Sequence, residues 1–356
     1  MIAILHLGRA AAMGEQRRVR SWVETLAWAG IDSVVIGLTE EHPARLLDVA
    51  ASAPAVVGGR AVPETLAWGV AAVRARLRAL RVDAVVCVSA RAYHPTLCDV
   101  APLVVLDYVD ALSRSYADRA GLAASARARA GYALLARRHR RFERRRHPSV
   151  RIVAAGFADA RRLGATWIPV VTAPWTVLQR EPDVDVLFVG TLRYAPNVAA
   201  VRRLSRLWPA LQQRRPGTSA MIAGSAPVPE VTQLCAERGW TLLADFDDPA
   251  DVYARGRVAV APLDHTAGIQ NKLLDAAIMG VAQVVSPAAL EGFAPDFPVS
   301  VAASDDAFVE ALAALLDDRE RRASAAKAAA LHVRERYGAA AWAPVVAELL
   351  GATPPR

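Results

Sequence analysis

Lysine is almost missing from this chain. Of 43 basic residues among 356, only Lys272 and Lys327 are lysines, so arginine carries nearly all the positive charge. With 35 acidic residues the formal net charge is +8. An arginine bias of this kind belongs to overall composition and names no partner by itself, but it makes a lysine in a plausible site conspicuous. Cysteine is scarce as well. Cys87, Cys98 and Cys235 are odd in number and far apart, which excludes a disulfide framework or a zinc spacing and fits a reducing cytoplasm. The seven histidines are scattered, so no zinc cluster is expected. Long apolar runs are absent too. The opening run, residues 2–7, is too short for a signal-peptide core and is closed by Gly8 and Arg9. The longest uncharged stretch, residues 163–179, contains Pro169 and Pro174 and falls short of a membrane span. What is abundant is apolar material, 54% of the residues, which excludes disorder for most of the chain. A chain of this length is too long for one ordinary core and long enough for two. A soluble, cytoplasmic protein is expected, with peripheral contact at the inner membrane face still open.

Short apolar runs alternate with helical patterns throughout. Residues 2–7, 33–38, 84–89, 103–106 and 151–154 read as buried parallel strands, and Val19, Trp22, Val23 and Leu26 repeat at helical spacing between the first two. A second series of strands is expected at 184–189, 219–223, 241–243, 258–261 and 282–285. Its helices are expected at 198–213, 229–237, 269–280, 305–316 and 320–337. Strands alternating with helices imply an α/β protein with parallel sheets covered on both faces. The pattern breaks once, near residues 172–185, where Pro174 and Pro182 flank a polar stretch. The expectation is two doubly wound, Rossmann-like domains, 1–175 and 183–337, facing across a cleft. A last helix within 338–356 would pack back on the first domain. Ligands of open α/β sheets bind beyond the carboxyl ends of the strands, which directs attention to Gly190–Arg193, to Gly224 and its neighbours, and to the segment from Asp264 to Asn271.

The stretch VAPLDHTAGIQNKLLDAAIMG reads as a strand end followed by a helix opened by Gly268. Lys272 and Asp275, three apart, share one face of that helix. A helix start with a lysine one turn in is a physically sound anion site, and a carboxylate one turn on can accept hydrogen bonds from sugar hydroxyls. Phosphates at the helix start and a ribose beside Asp275 would suit a nucleoside diphosphate. The same spacing also suits a plain solvated ion pair, and spacing alone does not choose.

The segments FVGTLRYAPNVAAV, WPALQQRRPGTSAMIAG, DDPADVYARGRVAVAPL, GIQNKLLDAAIMG and LEGF resemble the donor-binding half of retaining glycosyltransferases of family four, which have the GT-B fold. The resemblance is nearest to bacterial exopolysaccharide-type sugar transferases with a GIQNK motif. VVLDYVDALSRSYA and the arginine-rich run through Glu143 extend it more weakly into the first half. It implies that Lys272 contacts donor phosphate and Asp275 the donor ribose, with Gly190, Arg193 and Gly224 lining the diphosphate or base pocket. Gly268, Gln270, Asn271 and Glu291 complete the implied donor set, and Lys272, Asp264 and Asp110 are the implied catalytic residues. Two departures stand out. The first glutamate of the family's Glu-x7-Glu motif falls at Ala267 and the second at Asp275, so the donor-sugar contact is missing or passes to Asp264 or His265. The arginine usual after Gly190 is displaced to Arg193, with Thr191 in its place.

Other groups compete with plainer explanations. Asp183 and Asp185, like Asp245 and Asp247, have a spacing that can hold a divalent metal, but the first pair precedes its strand and the second lies in an acidic turn. No metal is expected. Gly14 and Arg20, with Arg17 and Arg18, would meet phosphate or acceptor, or would form an ordinary loop and a solvated helix face. His6 ends a strand and reads as a core or rim histidine. Of Asp107 and Asp110, the second is the better acceptor-side candidate. The run from Arg137 to Arg146 holds seven arginines without a recognition motif or aromatic platform, so nucleic acid is not expected. A solvated helix face and attraction to anionic lipid remain.

The resulting expectation is a metal-independent, cofactor-free glycosyltransferase with a nucleotide-sugar co-substrate. Its acceptor would be a sugar, a lipid-linked compound or a small molecule, in polysaccharide, glycolipid or glycosylated-metabolite biosynthesis. A nucleotide-sugar epimerase on the same scaffold, or a degenerate, non-catalytic partner subunit, are the alternatives.

Overall fold

The computed structural model of the chain describes residues 1–8, 13–123, 125–145, 149–172 and 180–352. It divides into two compact units. The first comprises Met1–Val171, Ala267–Ile269 and Tyr337–Arg356, and the second Thr172–Thr266 and Gln270–Arg336.

In the first unit, short and mainly apolar runs form β1 (Ile2–His6), β2 (Ser33–Gly37), β3 (Ala84–Val88), β4 (Leu103–Tyr108) and β5 (Val150–Ala154), with a two-residue β6 (Thr166–Trp167). They pair in the order β2-β1-β3-β4-β5-β6, every pair parallel. The connections are helical. α1 (Met13–Trp28) joins β1 to β2, and α2 (Leu38–Glu41), α3 (Leu46–Val57) and α4 (Val70–Leu80) join β2 to β3. α5 (Leu112–Leu122) and α6 (Ala126–Arg144) lead to β5, and α7 (Phe157–Leu163) leads to β6. β3 is buried along its whole length, as a strand covered on both faces must be. Val19, Trp22 and Leu26 of α1 cover one face together with Ile2, Ile4, Val86 and Val88.

The second unit repeats the scheme. β7 (Val184–Val189), β8 (Ala220–Gly224), β9 (Thr241–Ala244), β10 (Gly256–Ala261), β11 (Ala282–Val285) and β12 (Ser300–Val301) form a parallel sheet in the order β12-β11-β10-β7-β8-β9. α8 (Ala195–Arg214), α9 (Pro229–Arg238), α10 (Pro249–Ala254), α11 (Asn271–Ile278), α12 (Asp305–Asp317) and α13 (Arg319–Arg336) surround it. α14 (Ala339–Leu350) belongs to the first unit, where Val346 and Leu349 join the cluster around Trp22.

The two parallel α/β sheets read from the sequence are present, and β7 and β11 have the expected bounds. β6 and β12 were not expected, because two residues are too few to show a pattern. The helix expected from residue 269 starts only at Asn271. Gly268 takes φ +66° and Gln270 is still extended, which keeps the chain out of helical geometry until then. In the second sheet the strand order reverses between β7 and β10. That switch point is where an open α/β sheet leaves a crevice beyond its carboxyl ends, and the loops leaving these two strands lead to Gly190 and to Lys272.

Candidate functional site

Lys272 lies in the first turn of α11, but its side chain is turned into the second unit. Its ammonium donates to Asn197 Oδ1 at 2.7 Å and stands 4.4 Å from the ring centroid of Phe188, a fully buried residue of β7. Burial lowers its pKa from the ordinary lysine range to about 7. Among the described residues no carboxylate pairs with it, and its partners are a neutral amide and an aromatic face. Removal from water disfavours the charged form unless an anion is present to offset the loss. The solvated ion pair with Asp275 is therefore not what Lys272 forms. A small cavity lies beside it, with Val189, Tyr253 and Gln283 in its walls. Tyr253 donates its hydroxyl to the Lys272 carbonyl at 3.2 Å, and Gln283 Nε2 donates to the Leu273 carbonyl at 3.1 Å. These bonds fix the first turn of α11 from below.

Two glycines make room for this arrangement. A Cβ at Gly190 would lie 2.7 Å from Asn197 Nδ2 and 3.0 Å from Lys272 Nζ. A Cβ at Gly224 would fall on the carbonyl oxygen of Gly190. The Gly190 N–H donates to the Ala223 carbonyl at 3.0 Å, which ties the ends of β7 and β8 together. Both glycines expected in the donor set are thus required by close approach of their neighbours.

Arg193, in the loop from β7 to α8, is exposed and makes no ion pair among the described residues. Asn271 opens α11 with its side-chain Oδ1 buried and without a hydrogen-bond partner. Asp275 is half-buried one turn beyond Lys272. Gln270 caps the helix by position and donates its side chain to Thr266 Oγ1. Glu291 is half-buried and follows the short turn Pro287–Leu290 after β11. Two members of the expected set are differently engaged. The Gly268 N–H donates to Asp159 Oδ2 at 3.0 Å, so it is not a free donor for phosphate, and the residue belongs to the first unit. Asp264 is held at 2.9 Å by Arg203, which also grips Asp305 at 2.7 Å. Its surroundings are those of a structural ion pair and lend the catalytic reading no support.

In the first unit Asp110 follows β4. Burial raises its pKa, while Arg91 and Arg119 act in the opposite direction. Asp107 is fully buried and accepts from Arg18 Nε at 2.6 Å, Arg18 Nη2 at 3.3 Å and Trp22 Nε1 at 2.6 Å. Arg18 also donates to the Pro169 carbonyl at 2.6 Å, which corrects its reading as an arginine facing phosphate: it is part of the core. Gly14 lies in the first turn of α1, with nothing within 4 Å of an added Cβ, and Arg20 is exposed on the same helix. The arginine run falls mostly on α6, where Arg137, Arg138, Arg140, Arg141 and Arg144 are exposed while His139 and Phe142 are buried. Arg146 and residues 173–179, the centre of the expected hinge, lie outside the described residues.

Asp183 pairs with Arg180 and Arg255, and Asp185 with Arg215 and Arg257. Asp245 Oδ1 accepts from the Ala226 N–H at 3.2 Å. Among the described residues no group of three or more His, Cys, Asp or Glu side chains could hold a metal ion. His6 Nδ1 accepts from the Gly8 N–H at 3.1 Å, and burial lowers its pKa. Among the described residues no helix is long and apolar enough to cross a membrane. Asn197 and Phe188 were not singled out from the sequence. A signal for the first existed: Asn197 is a polar residue in the first turn of α8, among the mainly apolar positions that the helix buries. Phe188 looks like any strand aromatic.

Residues 183–318 match the family of glycosyl transferases group 1. Comparison with curated proteins finds no match. Among solved structures, sucrose-phosphate synthase from Thermosynechococcus elongatus is 15% identical, with a TM-score of 0.69 over 98% of this chain and 97% of its own. HepE of Anabaena, solved in complex with UDP, is 13% identical, with a TM-score of 0.63 over 98% and 99%. TarM is 9% identical with a TM-score of 0.60 over 80% of this chain, and the match spans only 59% of TarM. At these identities the likeness is one of fold. The chain has the GT-B architecture, and the match to glycosyl transferases group 1 falls almost wholly on its second unit.

Proposed function

We propose that the chain is a glycosyltransferase that moves a sugar from a nucleoside-diphosphate sugar to an acceptor hydroxyl, with retention and without a metal ion. The observation that carries this reading is the Lys272 ammonium, held at the start of α11 by Asn197 and Phe188 with no carboxylate among the described residues to neutralise it. A diphosphate would supply the missing negative charge, and a preorganised cation would stabilise charge developing on that diphosphate as it leaves. The first N–H groups of α11 have no partner within the helix, and Arg193 adds an exposed cation after β7. Asn271 Oδ1 and Asp275 are acceptors suited to hydroxyl groups of the donor. Gly190 and Gly224 keep the backbone bare where the nucleotide would lie. HepE, of the same fold, was solved with UDP, which makes a uridine nucleotide the first to try.

On this reading Asp110 is the acceptor-side carboxyl, with Gly14 and Arg20 nearer the margin. The acceptor is a sugar, a lipid-linked compound or a small molecule made at the cytoplasmic face, and the α6 arginines would favour an anionic membrane. A thermal-shift screen of UDP, GDP, dTDP, ADP and CMP, followed by NMR of the matching nucleotide sugar with and without acceptors, tests the reading. Absence of stabilisation by every nucleotide would sink it. Ala267, standing where the family has a glutamate, favours one second reading, a non-catalytic sugar-nucleotide binder. Nucleotide binding without turnover on broad donor and acceptor panels would establish that one instead. Sugar conversion in the donor-only sample would mark an epimerase.

A further inference from the structure

α3 presents an apolar face that nothing among the described residues covers. Leu46, Leu47 and Val57 are 85%, 84% and 88% exposed, and Ala50, Ala51 and Pro54 are exposed between them. At helical spacing these six residues occupy one continuous arc. Ser52 and Ala55 point inward and are buried. The helix has a single charged residue, Asp48, which is half-buried and accepts from the Arg45 N–H at 3.2 Å. A surface helix ordinarily turns its polar side outward, and α3 does the reverse.

Positive charge borders this face. Arg45 and Arg60 are exposed at its two ends. Arg145, just past α6, donates to the Gly58 carbonyl where α3 ends. Through that contact the C-terminal end of α3 meets the C-terminal end of α6, on which Arg137, Arg138, Arg140, Arg141 and Arg144 are exposed, their side chains in no ion pair among the described residues. A second copy of the chain would bring the same arginines against these. An anionic bilayer complements both features, with an acyl boundary for the apolar arc and phosphate headgroups for the guanidinium groups.

We propose that the first unit docks on anionic lipid membranes by laying α3 into the headgroup–acyl boundary while the α6 arginines rest on the headgroups. This goes beyond attraction of an arginine run to charge, because it assigns an inserting element, and it does not depend on which nucleotide the second unit takes.

The test is co-sedimentation of the full chain with phosphatidylcholine vesicles containing or lacking phosphatidylglycerol. Binding is expected to the anionic vesicles and to weaken with added salt. Leu46→Ser/Leu47→Ser/Val57→Ser should lower binding by about tenfold or more, since each loses its apolar transfer into the boundary. Arg141→Glu/Arg144→Glu should lower it by about tenfold or more as well. The substitutions are at exposed positions, so thermal unfolding and nucleotide binding should match the wild type, which separates a failure of docking from a failure of the donor reading. Equal binding by the triple serine variant would remove α3 from the interface and overturn the proposal. Equal binding to neutral vesicles would overturn it too, and so would binding to neither.

Discussion

Arg18 in the first unit and Lys272 in the second are both drawn inward, the first fully buried and the second partly, and the two are treated differently. In the first unit Arg18 meets Asp107 through two nitrogens, donates to the Pro169 carbonyl and stands 5.5 Å from the Trp22 ring centroid. Its charge is balanced and its guanidinium is bonded within the core. In the second unit Lys272 has an aromatic face too, but its hydrogen-bond partner is the neutral amide of Asn197. The difference teaches how to separate two kinds of enclosed charge: the first is closed by a carboxylate, and the second, on the function proposed above, would be completed by a ligand.

The contrast can be broken most severely from the closed side. Asp107→Ala should cost about 3–5 kcal/mol, because it leaves Arg18 buried and unpaired, and urea unfolding measures the loss. A variant as stable as the wild type would remove Arg18 from the core account. On the open side, Lys272→Ala should reduce transfer about ten- to a hundredfold or more while circular dichroism stays native, from loss of a charged hydrogen bond worth about 1.5–3 kcal/mol. Unchanged turnover in the folded variant would refute the assignment.

The pH response should also distinguish the two cations. With its pKa lowered to about 7, Lys272 is largely neutral in the empty site above that pH and must take up a proton to meet a diphosphate. Nucleotide affinity should therefore fall as pH rises from 7 to 9, by up to about tenfold per unit. Calorimetry near pH 8 in two buffers should report proton uptake, and uptake unchanged in Lys272→Arg would place it elsewhere. The sign for stability is opposite. Below about 7 the wild type carries an enclosed charge, so the melting temperature of Lys272→Met relative to wild type should rise as pH falls from 8 to 6. A smaller effect is expected from Gly190→Ala, whose methyl group would push on Asn197 and Lys272. Nucleotide affinity should drop about fivefold, within the usual cost of overpacking. Smallest of all, Arg193→Ala should change affinity about two- to fivefold, as suits an exposed charge, and equilibrium titration would resolve both.

Much of the fold was legible because short, mainly apolar runs rich in valine define strands such as β7 and β11 whatever surrounds them. Lys272 was conspicuous too, being one of two lysines and lying shortly after a strand. What spacing did not reveal was its direction. By spacing along the helix Asp275 is its neighbour, but Asn197, 75 positions away, accepts its hydrogen bond. Arg18 was misread for the same reason. Among Arg17, Val19 and Arg20 it looks like part of a solvated basic stripe, yet Asp107, 89 positions away, draws it inward. Gly268 looked like a helix opener until Asp159 claimed its N–H. Partners contributed by distant strands leave no local trace.

The route of α14 bears on how the molecule is made. Val346 and Leu349 of that helix share a cluster with Trp22 and Leu26 of α1, and Ala343 and Ala347 lie against Ala29. During synthesis the first sheet therefore emerges early but keeps part of its apolar covering outstanding until the whole second unit has been translated. The Trp22 face is then an exposed, aggregation-prone surface for that interval. Trimming α14 would recreate this nascent state permanently.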